Sequence, residues 1–227
     1  MNSVEKGKYL ILDVESTGTS SNDEVIQFSG FLLDEDLMIE SLVNFYAFTV
    51  KPISPEAYRV HGISTEQLYK LSTYDPGDGS PVQRGCTFEQ QLLLHTSELL
   101  TIENLTYVCY SNSYFDFKMI NQTLRLQGLP EINFGNKCTS IHELKEPGTH
   151  HFDVMSALKQ IGFFPGRQCN LTLATSLMEE EFGIKVASLF RTLCQARNLS
   201  GNAKSHDALY DAFELTYLFV KYFNRFR

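Results

Sequence analysis

The sequence has no apolar run near the roughly 20 residues needed to cross a bilayer, so a membrane-spanning helix is not expected. Its opening stretch, Met1–Tyr9, lacks the apolar core of a secretory signal, and a cytoplasmic protein is the expectation. No two cysteines have the CxxC spacing of a zinc or redox motif. The five present (Cys86, Cys109, Cys138, Cys169 and Cys194) are scattered and odd in number, which favours reduced thiols in the core over a disulfide framework. Internal repeats and low-complexity segments are absent. Positive charge is scarce: 19 Lys and Arg against 27 Asp and Glu give a net charge of −8. A protein that holds a duplex by its phosphates is expected to be basic, at least locally. If this chain handles nucleic acid, either metal ions supply much of the positive charge or the grip is short.

What is present is an ordinary globular composition, 43% hydrophobic and 20% charged over 227 residues. A chain of this size buries about 70% of its surface, enough for one domain spanning residues 1–227. Tyr9–Val14 reads as a buried central strand, Glu24–Leu33 as a second and Ile39–Val50 as a third, ended by Pro52, so an antiparallel meander is expected. Ser54-Pro-Glu56 opens a short helix that ends near His61-Gly62, and Ser64-Thr-Glu-Gln67 has capping-box spacing. Tyr74–Pro81 is polar, turn-rich loop. A helix over Thr87–Leu100, a strand over Thr106–Tyr110 and a helix over Tyr114–Leu126 follow. The remainder reads as helical: Ser140–Leu144, Phe152–Ile161, Leu171–Phe182, Val186–Ala196 and Asp207–Phe223. Strands first and helices after give an α/β layer arrangement around a mixed sheet.

Three groups of residues carry chemistry. Asp13 and Glu15, two apart at the end of the first strand, leave the same face. Side by side at a buried strand end they repel each other and lose hydration, which a divalent cation would relieve; acids already exposed at a strand end are the plainer alternative. Ser16-Thr17-Gly18, a small polar turn, allows backbone N–H groups to approach a ligand. Asp116 lies in the first turn of a helix, where the helix dipole favours an anion. Asp211 sits beside the apolar stripe Ala208, Leu209, Ala212, Leu215 and Phe219 of the last helix, where an unpaired carboxylate is costly. His206 precedes that helix; taken alone it is a capping or surface histidine.

In combination these segments resemble one family. Asp13-Val-Glu-Ser-Thr-Gly18 is similar to the DxETTG motif of the DEDD exonucleases, and Asn112-Ser-Tyr-Phe-Asp116 to their second motif. His206-Asp-Ala-Leu-Tyr-Asp211 has the H-x4-D spacing of the DEDDh subclass, with Asp207 where the other subclass has tyrosine. Val60-His-Gly-Ile-Ser64 is similar to a VHGIT segment of bacterial members. The resemblance covers Tyr9 to Phe223 and is closest to the epsilon-type proofreading 3′–5′ exonucleases. The Tyr74–Gly85 loop is longer than usual there, making an insertion of about 73–86, and the helical region of about 145–202 is expanded.

The resemblance implies a ribonuclease H-like mixed β-sheet flanked by helices. It also implies two Mg²⁺ or Mn²⁺ ions, in keeping with all-oxygen ligands. Asp13 would bridge the ions, Glu15 and Asp211 would complete one site and Asp116 the other. His206 would act as general base, releasing nucleoside 5′-monophosphates from a 3′ end. Ser16, Thr17 and Gly18 would meet the terminal nucleotide, with His61 and Asn112 nearby. Phe115 and Phe117 would stack on a base or pack in the core, while His150-His151 reads as surface. The expected partners are nucleic-acid 3′ ends, single-stranded, with no membrane, and a protein partner in a replication, repair or processing complex is compatible. The motif spellings favour DNA over RNA. An exoribonuclease of the ribonuclease T or oligoribonuclease type, and a non-catalytic end-binding accessory subunit, are the alternatives.

Overall fold

The computed structural model describes residues 7–96, 99, 102, 105–110, 115–145, 150–166, 168–199 and 204–226. The chain opens with strands β1 (Tyr9–Ser16), β2 (Val25–Leu33) and β3 (Ile39–Tyr46), then helices α1 (Pro55–His61) and α2 (Thr65–Leu71). The two-residue strands β4 (Thr73–Tyr74) and β5 (Gln83–Arg84) pair with each other across the turn-rich loop. Next come α3 (Phe88–Thr96), β6 (Thr106–Cys109), α4 (Phe115–Leu126), β7 (Asn136–Cys138) and β8 (His150–Asp153). Helices α5 (Val154–Gln160), α6 (Leu171–Phe182), α7 (Val186–Arg197) and α8 (Ala208–Tyr222) close the chain.

The main sheet has the order β3-β2-β1-β6-β8-β7, antiparallel across β3, β2 and β1 and parallel from β1 to β7. Helices cover both faces, which is why β1 and β2 are apolar on both sides rather than alternating. Ile11, Phe31, Val108 and Phe152 face one core with α5 to α8; Leu10, Leu12, Phe28 and Tyr107 face the other with α3 and α4. Helix α8 lies across β1 and β2 and is buried nearly all round. Ser54 caps α1 through the Ala57 N–H, and Ser64 with Gln67 forms the expected capping box on α2. Among the described residues no helix is long and apolar enough to cross a membrane.

The structure differs from the sequence reading mainly after Leu126. Two parallel strands stand where none was expected: β7 precedes the helix expected at Ser140, β8 lies within the region of about 145–202 expected to be helical, and the helix expected from Phe152 starts at Val154, capped by Asp153. Ser140–Leu144 yields only a 3₁₀ turn at Glu143–Lys145. These strands are three and four residues long with no β-branched side chain, so pairing with β6 makes them strands and local preference does not. His150 is therefore not a surface residue: it is 6% exposed, in register with Thr106 and Asn136, and its Nδ1 lies 3.5 Å from Cys138 Sγ. His151 is half-buried against the Phe117 ring. Strand β3 ends at Tyr46, short of Val50; α3 spans Phe88–Thr96, and Ser97, Glu98 and Leu100 of the helix expected to Leu100 lie outside the described residues. Cys86, Cys109, Cys138 and Cys194 are buried as expected, with Cys169 only half so.

Candidate active site

The C-terminal end of β1 and the N-terminal ends of α4 and α8 meet at one edge of the sheet. Side chains of β1 alternate, so Asp13 and Glu15 follow Tyr9 and Ile11 onto the face that α8 covers. Beyond Ile11 β1 no longer pairs with β6, which leaves the Val14 N–H without a strand partner; Asp116, in the first turn of α4, accepts it at 3.3 Å. Asp211, in the first turn of α8, reaches back to accept the His206 N–H at 3.0 Å. That bond helps hold His206 at φ +64°, a left-handed conformation uncommon for a non-glycine residue. Carboxylate oxygens of Glu15 and Asp211 and a ring nitrogen of His206 lie within 4.8 Å of one another.

Burial, followed by mutual repulsion, dominates the electrostatics. Asp13 keeps some solvent contact through the cavity mouth, yet the dense protein around it pushes its carboxyl well above the usual range, and Asp116, Asp211, Glu15 and Asp207 push it further. Glu15 is raised by burial and then by Asp211, Asp116 and Asp207. Asp116 and Asp211 are raised by burial too, partly offset by the N–H groups they accept. Asp211 Oδ1 is buried with no hydrogen-bond partner among the described residues. An orphaned carboxylate oxygen amid repelling carboxylates fits a divalent cation, and the oxygen-rich donor set suits Mg²⁺ or Mn²⁺.

A cavity of about 400 Å³ opens over this cluster. Asp13, Glu15, Ser16, Gly18, His61, Phe115, Asp116, His206 and Asp211 all line it, joined by Val60, the first residue of the Val60–Ser64 segment, and by Tyr110, which the sequence did not single out. Thr17 does not line it: its hydroxyl turns inward, donating to Asp23 Oδ1 at 2.8 Å and accepting the Glu24 N–H. Gly18 is required by the same turn, since a Cβ there would sit 2.7 Å from Asp23 Oδ2. Phe117 points into the core, its ring 4.3 Å from that of Phe134 and stacked on it. Asn112 lies outside the described residues.

Two supporting residues also escaped the sequence reading. Gln27, 1% exposed on β2 and opposite Glu15, donates to Asp207 Oδ1 at 3.2 Å and accepts the Ala208 N–H at 3.3 Å. It also donates to Asn44 Oδ1, which Ser29 Oγ approaches at 2.7 Å. This chain of polar groups ties β2 and β3 to the start of α8. Asp207, the N-cap of α8, is a fifth acid whose charge raises Asp13, Glu15 and Asp211. A lone buried-type glutamine in the apolar run of β2 was the available signal for Gln27.

A family model described as Exonuclease matches residues 10–146. No curated protein matches the sequence. Among solved structures, E. coli Exonuclease I in complex with an oligonucleotide is similar over 97% of this chain, with 14% identity and a TM-score of 0.63. The match takes in 41% of that protein, so this chain spans about two-fifths of its length. A 3′-exonuclease solved in recognition of a histone mRNA stem-loop is 16% identical over 97% of this chain and 83% of its own, with a TM-score of 0.63. The nuclease domain of 3′hExo, a DEDDh family member bound to rAMP, is 17% identical over 97% and 93%, with a TM-score of 0.58. The sheet order and flanking helices are those of the ribonuclease H-like exonuclease fold.

Proposed function

The chain belongs to the exonuclease family, and from that premise we propose that it is a metal-dependent 3′–5′ exonuclease of the DEDDh type, acting on single-stranded 3′ ends as a single domain over residues 1–227. The observation that carries this reading is the convergence of Asp13, Glu15, Asp116 and Asp211 beneath one cavity, with Asp211 Oδ1 left unpartnered. These four side chains would hold two Mg²⁺ or Mn²⁺ ions. Bound there, the ions would neutralise the scissile phosphate and make the attacking water more acidic.

The chain's own residues do the rest. His206, exposed at the cavity rim beside Glu15 and Asp211, takes the proton of the attacking water and passes it to solvent. Imidazole suits that task because its ordinary pKa lies near neutrality. Ser16, Gly18, His61 and Phe115 wall the space for the terminal nucleotide. Attack at phosphorus with departure of the neighbouring 3′ oxygen leaves the phosphate on the released 5′ position. The epsilon-like motif spelling favours DNA; the structural neighbours were solved with an oligonucleotide, with an mRNA stem-loop and with rAMP, so RNA is the competing substrate.

The test is digestion of 5′-labelled single-stranded DNA and RNA of matched sequence with Mg²⁺, Mn²⁺ or EDTA. A metal-dependent ladder shortening from the 3′ end, absent in Asp13→Ala, is the expected result and identifies the preferred sugar. No cleavage of either strand in any metal would overturn the enzyme reading in favour of an end-binding accessory subunit.

A further inference from the structure

Among the described residues, the cavity lining contains Asp13, Glu15, Glu56, Asp116 and Asp211 but no lysine or arginine. The nearest arginine on α1, Arg59, is already paired with Glu56 at 2.7 Å. A strand carrying a negative charge on every nucleotide therefore meets a repelling wall wherever metal ions do not reach.

Two side chains offset this: His61, which lines the cavity, and Lys204, which lies over the adjoining Gly62. His61 is 7% exposed; its Nδ1 accepts the Ile63 N–H at 2.9 Å, which leaves the ring proton on Nε2. That Nε2 is buried and faces the Ser16 carbonyl without a well-formed hydrogen bond, and the ring borders the cavity. Burial, reinforced by His206 and Lys204 and opposed by the Ser16 carbonyl, lowers His61 from the ordinary imidazole range. Lys204 is exposed two residues before His206. Its Nζ lies over the C-cap of α1, 3.6 Å from where a Cβ on Gly62 would stand, and its charge reaches both His61 and Asp207. Among the described residues it forms no ion pair within 4.0 Å.

We infer that Lys204, with the His61 Nε2–H beside it, grips a backbone phosphate of the strand whose 3′ end enters the cavity. This rests on the exonuclease reading and adds to it the residue that holds the strand while others cut it. A flexible ammonium next to a fixed N–H donor matches a group with several acceptor oxygens and a negative charge. The competing role for Lys204 is counter-ion to the acids through Asp207. A lost grip weakens strand binding and its salt dependence, whereas a lost counter-ion changes the metal requirement.

The experiment measures anisotropy of 5′-fluorescein oligo-dT with Ca²⁺ between 50 and 200 mM KCl (on the order of the range over which such contacts separate), alongside cleavage rates in Mg²⁺. For Lys204→Ala the expected result is a Kd and KM raised about 5- to 10-fold, with kcat falling less than KM rises. The slope of log Kd against log salt should drop by about 0.7, the value for one lost single-strand phosphate contact. Lys204→Arg should restore affinity and slope. Unchanged Kd and slope in an enzyme that still cleaves overturn the grip, as does a shifted Mg²⁺ requirement at constant Kd. Lys204-dependent binding without cleavage keeps the grip and removes the exonuclease; a wild-type protein that neither binds nor cuts overturns both.

Discussion

Asp211 combines two roles that a substitution can separate. One oxygen accepts the His206 N–H and the other is buried without a partner. In Asp211→Asn the amide oxygen can still accept that N–H, while the charge is gone. The expected outcome is a loss of at least about 100-fold in cleavage with the fold intact, and a metal-free protein about 1 kcal/mol more stable because one repelling buried carboxylate has been removed. Steady-state rates and thermal melts check it, and full activity would remove Asp211 from the site. Gln27 works in the opposite direction, since its amide is satisfied on both sides. Gln27→Leu leaves the Asp207 carboxylate and the Ala208 N–H each short of a bond, at about 1–3 kcal/mol per buried group. Because α8 carries Asp211, whose carboxylate in turn holds the His206 N–H just ahead of the helix, kcat should fall about tenfold or more while KM moves little; equal activity at equal stability would make the network incidental. The carboxylates were legible in the sequence because four acids and a histidine stand in the order and spacing of the exonuclease motifs; singly, each read as easily as an exposed or helix-start residue. Gln27 was much harder to read, since its partners lie 180 and 181 residues away.

At the level of elements, legibility followed how local the cause was. Helices α1 and α2 announce themselves through Ser54, Ser64 and Gln67, whose side chains bond within their own turns. Strands β7 and β8 carry no such local signal and exist through pairing with β6, so a reading by periodicity passes over them. The long helix α8 shows what tertiary packing costs: lying across β1 and β2 with α6 on its other side, it buries Glu214 at 5% exposure. Burial pushes that carboxyl up to about 7, Asp211 and Glu179 push the same way, and bonds with Tyr210 and Thr175 partly oppose them. A carboxyl whose pKa is higher folded than unfolded stabilises the protein at low pH, and that contribution is lost as pH rises from about 4.5 through about 7. Glu214→Gln should therefore gain stability over wild type by about 3 kcal/mol at pH 8.5, with the gain shrinking toward zero near pH 4.5. Urea melts of both proteins across that range read the difference directly. A gain independent of pH would mean that the Glu214 carboxyl titrates alike in the folded and unfolded chain, so that burial does not raise it.

For the whole molecule, net charge and the site present the same constraint. On the proposed reading, a chain at −8 acting on a polyanion has to create positive potential at the point of cleavage, and among the described residues the cavity lining supplies no lysine or arginine for it. The protein instead concentrates Asp13, Glu15, Asp116 and Asp211, all raised by burial and by charges of nearby acids, an arrangement that weakens the metal-free fold and that bound cations would relieve. The pH dependence follows from proton competition. At low pH these raised carboxyls hold protons that a metal ion must displace, and at higher pH they are charged and mutually repelling, so the ion relieves more. Mn²⁺ at about 100 times its Kd stabilises a fold by about 2.7 kcal/mol through mass action alone. The melting temperature should therefore rise on adding Mn²⁺ to EDTA-treated protein, by more at pH 8 than at pH 6, and Asp13→Ala should abolish most of the rise at both. Oligonucleotide binding should follow the same pattern, weak in EDTA and recovered with Ca²⁺. A metal-induced rise of equal size at pH 6 and pH 8, or one that survives in Asp13→Ala, would place the cation away from this cluster and leave the acids at the end of β1 without an explanation.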